Sequence, residues 1–161
     1  MSRVYVSIGS NIEREKHVKG AIAELEKAFG ELTCSRTYET QAVGFEGDPF
    51  YNLVVGFDTD QSPQQVAKVL EHIEDAHGRD RSGGPFSSRT LDLDLLLYDD
   101  LVLDEDGLRL PRREIMECAF VLQPLAEIAG DTKHPQTGFT FSAIWDQFDP
   151  TAQPMWPVKT G

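Results

Sequence analysis

The chain has 161 residues, 15 of them basic and 27 acidic, for a formal net charge of −12. That length suits a single domain burying roughly two thirds of the surface its unfolded chain exposes, and the charge disfavours non-specific attraction to nucleic acid or an anionic membrane, so a polyanionic ligand must meet a local cluster of cations. MSRVYVSIGS lacks the apolar stretch of a signal peptide and no run approaches the ~18 apolar residues of a membrane span, so the expected compartment is the cytoplasm.

Arg3 to Ile8 alternates Val4, Val6 and Ile8 with Tyr5 and Ser7 and ends at Gly9-Ser10-Asn11, which predicts a strand running into a turn. Val18, Ala21, Ile22, Leu25 and Phe29 recur at helical spacing up to Gly30. Leu32 to Tyr38 and Tyr51 to Asp58 read as strands joined by the loop QAVGFEGDP. Ser62, Pro63 and Gln65 mark a capped helix start, with Val66, Val69, Leu70 and Ile73 as its core stripe and Gly78 as its end. Thr90 to Tyr98 follows as a strand.

The order strand, helix, strand, strand, helix, strand is that of an α+β, ferredoxin-like βαββαβ core, a mostly antiparallel sheet with helices packed on it. LVLDEDGLRLP adds a small ribbon turned at Asp104 to Gly107, and Glu117 to Ala129 a helix interrupted by Pro124. Residues 1–148 form the expected domain. DPTAQPMWPVKTG, with three prolines and no periodicity, predicts a loosely ordered tail over 149–161. Cys34 and Cys118 read as reduced core thiols, and the four histidines as scattered.

In RTLDLDLLLY, strand alternation puts Asp92 and Asp94 on one face, ~7 Å apart at the backbone, and Leu91, Leu93, Leu95 and Leu97 on the other. Two carboxylates so placed suit a hard cation such as Mg²⁺ that bridges protein to phosphate. The bland alternatives are a wet strand face or pairing with Arg89. Upstream, HGRDRSGGPFSSR spreads Arg79, Arg81 and Arg89 along a Gly-Ser loop, side chains suited to phosphate oxygens on a segment able to close over a ligand. SIGSN at 7–11 is read as a structural turn rather than an anion cradle.

IGSN, YxTxxxG, FYN and the arginine loop leading into RTLDLD, in that order over residues 3 to 128, resemble the 6-hydroxymethyl-7,8-dihydropterin pyrophosphokinase family of folate biosynthesis. The resemblance implies a ferredoxin-like core and transfer of a pyrophosphoryl group from ATP to the pterin hydroxymethyl oxygen, with release of AMP. It implies two Mg²⁺ ions held by Asp92 and Asp94, and Arg79, Arg81 and Arg89 along the phosphates. Glu74 falls near the nucleotide.

For the pterin it implies a slot between Phe50 and Phe120, with Asn52, Thr40, Val43 and Gly44 reading the ring edge. The chain departs from the family pattern at Ser87 and Ser88, which replace a Gly-Pro pair. It departs again at Arg112 and Cys118, which stand where the family usually has a histidine and an arginine. Arg112 or Arg113 offers a replacement cation for the nucleotide. The implied partners are small molecules, ATP and a reduced pterin, handled by a monomer without nucleic acid or membrane.

On this reading the compensation for the two aspartates comes from outside the protein, with Mg²⁺ and ATP. Two other readings compete: a catalytically weak paralogue that binds pterin or nucleotide as a module, motivated by Arg112 and Cys118, and a metal-dependent nuclease or phosphatase built on the aspartate pair.

Overall fold

The longest apolar alternations meet in the middle of one sheet. In the structure, a computed structural model that describes residues 1–40, 49–78, 91–105 and 107–158, β1 (Ser2–Ser10) and β4 (Phe50–Thr59) pair antiparallel over their whole length, from Ser2 opposite Thr59 to Ser10 opposite Tyr51. β5 (Asp92–Tyr98) pairs antiparallel on the far side of β1. The predicted strand over 32–38 is two short pieces, β2 (Thr33–Cys34) and β3 (Tyr38–Thr40), both on β4. The order β5-β1-β4-β3, with two intervening helices, is the ferredoxin-like arrangement expected.

Helices α1 (Arg14–Phe29) and α2 (Pro63–Ala76) cover one face of this sheet. Val18, Ala21 and Leu25 from α1 and Val66, Leu70 and Ile73 from α2 pack on Val4, Val6, Ile8, Val55, Phe57, Leu93 and Leu95. Phe57 is fully buried and stacks on Phe29 at 4.2 Å. The start of α2 carries the predicted capping box: Ser62 Oγ accepts from the Gln65 N–H at 3.2 Å and Gln65 Oε1 accepts from the Ser62 N–H at 2.8 Å. Ser62→Ala is expected to cost about 1 kcal/mol and lower the melting temperature by about 2–4 °C, while Ser62→Thr keeps most of both. Thermal melts of the two variants make the comparison.

The opposite face is covered as well. After the ribbon β6 (Leu103–Glu105) and β7 (Leu108–Leu110) come α3 (Glu114–Glu117), α4 (Ala119–Ala129) and α5 (Phe141–Gln147). Ile115, Val121, Leu122, Leu125, Ala129 and Phe141 pack on Tyr5, Val54, Leu96 and Leu97 as a second core. The interruption expected at Pro124 lies instead at Cys118, whose extended backbone (φ −120°, ψ 119°) separates α3 from α4. Pro124 sits inside an unbroken α4, because its missing N–H forfeits one bond in the middle of a helix whose burial offsets the loss.

Strict alternation fails in β5. Leu95 pairs with Val6 and Leu97 with Tyr5, so Leu96 is an extra residue, a bulge that reverses the phase of the strand. Leu91, Leu93 and Leu95 therefore enter the first core as expected, whereas Leu97 joins Leu96 in the second.

The tail also departs from expectation. β8 (Met155–Pro157) pairs antiparallel with β3, and Val158 donates to Thr37 O at 2.8 Å, making the last strand part of the main sheet. Gln153 anchors it, accepting from the Ala119 N–H at 2.8 Å and donating to Glu117 O at 3.0 Å. Cys34 is exposed on β2 rather than in the core, and Cys118 is half-buried; both are free.

Candidate functional site

The sheet register builds one row of side chains at the end of the strands. Asp92 lies opposite Gly9, and Gly9 opposite Asn52, so residues from β5, β1 and β4 share a row and a face. Gly9 is a residue sequence reasoning passed over as part of a turn. A Cβ there would stand 3.0 Å from Asn52 Oδ1 and 3.9 Å from Phe50 Cδ1, so the glycine leaves room for the amide.

Around Asn52 the β3–β4 register places two of the expected pterin-slot residues, Thr40 and Phe50. Asn52 is buried and its Nδ2 donates to Thr40 Oγ1 at 2.8 Å. Thr40 is in register with Phe50. Phe120, on α4, packs against the second core, which covers the same face. Val43 and Gly44 lie outside the described residues, as do Arg79, Arg81 and Arg89.

The carboxylate pair is part of the same face, one turn of the pleat further along. Asp94 lies opposite Ser7, two residues from Asp92. Part of the compensation expected from outside is already within the protein: Arg112 Nη2 stands 3.3 Å from Asp94 Oδ1, and Arg112 Nε 2.8 Å from Glu114 Oε2. The Arg112 backbone N–H donates to Leu96 O at 3.0 Å, which fixes it beside β5. Even so, burial pushes the Asp94 carboxyl up to about 7, with Asp92, Glu74 and Glu114 adding to the rise and Arg112 opposing it.

Glu74 is buried on α2, and its Oε2 accepts from the Leu93 N–H at 2.8 Å, holding the peptide between the two aspartates from the edge of the sheet. Cys118 is a weak replacement for a charged group. Burial, Glu114 and Glu117 raise its thiol to about 11, so it is neutral at ordinary pH. The histidines are not all scattered: His17 and His77 meet with Nδ1 atoms 2.6 Å apart between α1 and the end of α2. Among the described residues no three His, Cys, Asp or Glu side chains group to hold a metal ion by themselves. The donor set that remains, two oxygen-bearing carboxylates on one face, fits a Mg²⁺ ion that takes its other oxygens from phosphates and water.

Fold and site together define an α+β domain with an acidic pair on β5 and an amide-and-aromatic cluster on β3 and β4, on either side of β1 at one end of its sheet. The family described as 7,8-dihydro-6-hydroxymethylpterin-pyrophosphokinase matches residues 5–130, and the chain belongs to that family. It is 38 % identical over 161 residues to the 2-amino-4-hydroxy-6-hydroxymethyldihydropteridine pyrophosphokinase of Synechocystis, covering 97 % of this chain and 80 % of that one. The Bacillus subtilis protein of the same name is 34 % identical over 163 residues, covering 98 % and 92 %.

The folic acid synthesis protein fol1 of Pneumocystis carinii is 34 % identical over 160 residues, but the chain spans only 21 % of its length. Among solved structures, Plasmodium falciparum HPPK-DHPS wild type with SDX-DHP superposes with a TM-score of 0.70 over 91 % of this chain and 43 % of that one, at 15 % identity, a likeness of fold.

Proposed function

We propose that this protein is a Mg²⁺-dependent pyrophosphokinase that transfers the pyrophosphoryl group of ATP to the hydroxymethyl oxygen of 6-hydroxymethyl-7,8-dihydropterin, releasing AMP. The observation that carries the reading is the shared row Asp92–Gly9–Asn52, which, with Asp94 two residues on, puts two carboxylates and an amide on one face of three adjacent strands. Family membership and the names of the relatives support it.

In this reading Asn52, held by Thr40, offers donor and acceptor to the edge of a flat heterocycle whose faces meet Phe50 and Phe120. Val43 and Gly44 add backbone groups. Asp92 and Asp94 would hold Mg²⁺, which when bound neutralises phosphate charge. Arg79, Arg81 and Arg89 grip the triphosphate and Arg112 adds a cation beside Asp94, while Glu74 keeps β5 in place near the nucleotide. The protein's contribution is thus position and charge rather than covalent chemistry. The reading includes a monomer acting in the cytoplasm on small molecules. No helix among the described residues is long and apolar enough to cross a membrane.

The test is AMP formation from ATP and hydroxymethyldihydropterin, followed chromatographically with and without EDTA. Mg²⁺-dependent AMP in step with pyrophosphorylated pterin is expected. Folded protein that binds pterin yet forms no AMP would revive the binding-module reading, and turnover in EDTA would remove the metal from the proposal.

A further inference from the structure

Arg14, the first residue of α1, has its guanidinium in contact with three groups, two on the strands that carry the slot and one on the residue that leads into β4. Its Nη1 donates to Pro49 O at 2.9 Å, and its Nη2 stands 3.2 Å from Glu39 Oε2. The guanidinium carbon lies 4.0 Å from the centroid of the Tyr51 ring. Glu39 and Tyr51 face each other in the β3–β4 register, beside the pair Thr40 and Phe50. One planar cation thus takes hold of the residues on both sides of Phe50 and of the residue before Thr40.

It does so from behind. Tyr51 packs against the first core, whereas alternation sends Phe50 and Asn52 to the other face. Only a guanidinium can donate in one direction, pair in a second and stack flat on a ring at once; a lysine head is a compact point charge and does one of these well.

We infer that Arg14 is a positioning residue for pterin binding: without touching the ligand, it fixes the chain entering β4 at Pro49, and through it the ring of Phe50 and the amide of Asn52. The inference rests on the reading of Phe50, Asn52 and Thr40 as the slot. Small displacements of binding groups carry large penalties, because the geometry is selected within a fraction of an ångström.

Arg14→Ala is expected to raise the KM for the pterin about 10-fold, with kcat and the KM for ATP within about twofold of the parent. Arg14→Lys, which keeps the charge, should raise the pterin KM several-fold, about half the effect on a logarithmic scale. Steady-state kinetics on both variants and on Phe50→Ala, with calorimetric pterin binding and thermal melts alongside, form the experiment. A lower melting temperature with unchanged pterin KM in both Arg14 variants makes Arg14 merely structural and overturns the inference alone, provided Phe50→Ala weakens pterin binding. Unchanged pterin binding in Phe50→Ala overturns the slot, and the inference falls with it.

Discussion

Asp94→Asn is expected to cut AMP formation by about 10²- to 10³-fold while leaving the protein folded and, at pH 8 without divalent cations, more stable than the parent. The two effects have one origin. Burial and the neighbouring carboxylates lift Asp94 to about 7, so the folded protein holds this proton more tightly than the unfolded chain does. The parent therefore loses stability as pH rises from about 4, the ordinary carboxyl value, to about 7, and the loss is complete above that.

An amide has no proton to lose, so the variant escapes the penalty. Its advantage should be absent near pH 4, grow through the interval and level off above pH 7. For a side chain that is 30 % exposed, solvent screening brings the gain to on the order of 1–3 kcal/mol. Melting in EDTA at pH 4, 6 and 8 measures it. A variant that melts several degrees lower at pH 8 would show that the Arg112–Asp94 pair holds the fold together and that the aspartate is structural.

Glu74→Ala should be the more damaging change to the scaffold of the site. It leaves the Leu93 N–H without the acceptor it has now, at a cost of about 1–3 kcal/mol, and it frees the peptide between Asp92 and Asp94 to shift. Activity is expected to fall about 10- to 100-fold, the usual penalty for removing a group that orients ligating side chains. Glu74→Gln retains an acceptor oxygen and should recover most of the stability. Denaturant unfolding and steady-state rates on the pair decide the matter: if Ala and Gln variants lose activity equally while Gln is as stable as the parent, the charge of Glu74 matters to the reaction, and its hold on β5 does not explain the loss.

What the sequence disclosed was local. Alternation in Val4–Ile8, the strand-like run Tyr51 to Asp58, the helical stripe of Val66 to Ile73 and the Ser62–Gln65 cap each rest on residues a few positions apart, and the elements they announce are present. The same local rule put Asp92 and Asp94 together, and it held because the bulge comes after them. It failed at Leu97, since an unbroken run of leucine carries no polar mark to show where the phase changes. β8 was hidden by its prolines, and α5, anchored by the fully buried Phe141, follows a stretch that raised no expectation.

The contacts that close the site are long-range: Arg112 on Asp94 and Glu74 on Leu93, each about twenty positions apart, and Arg14 on Pro49. No spacing rule reaches them. Gly9 did leave a trace, a glycine inside an otherwise regular strand, which commonly marks a close approach of another group.

The strand that the prolines concealed bears on how the molecule behaves in company. β8 takes the outer position beside β3, and Pro157, whose nitrogen the register turns away from β3, has no N–H to offer a newcomer. At the opposite border, Glu74 already occupies an outward N–H of β5. The two ends of the strand order β5-β1-β4-β3-β8 are thereby made poorer templates, by a missing donor on one side and a satisfied donor on the other. A chain cut before Met155 would bare β3, and is expected to associate edge to edge more readily than the full chain, which light scattering on the two would measure.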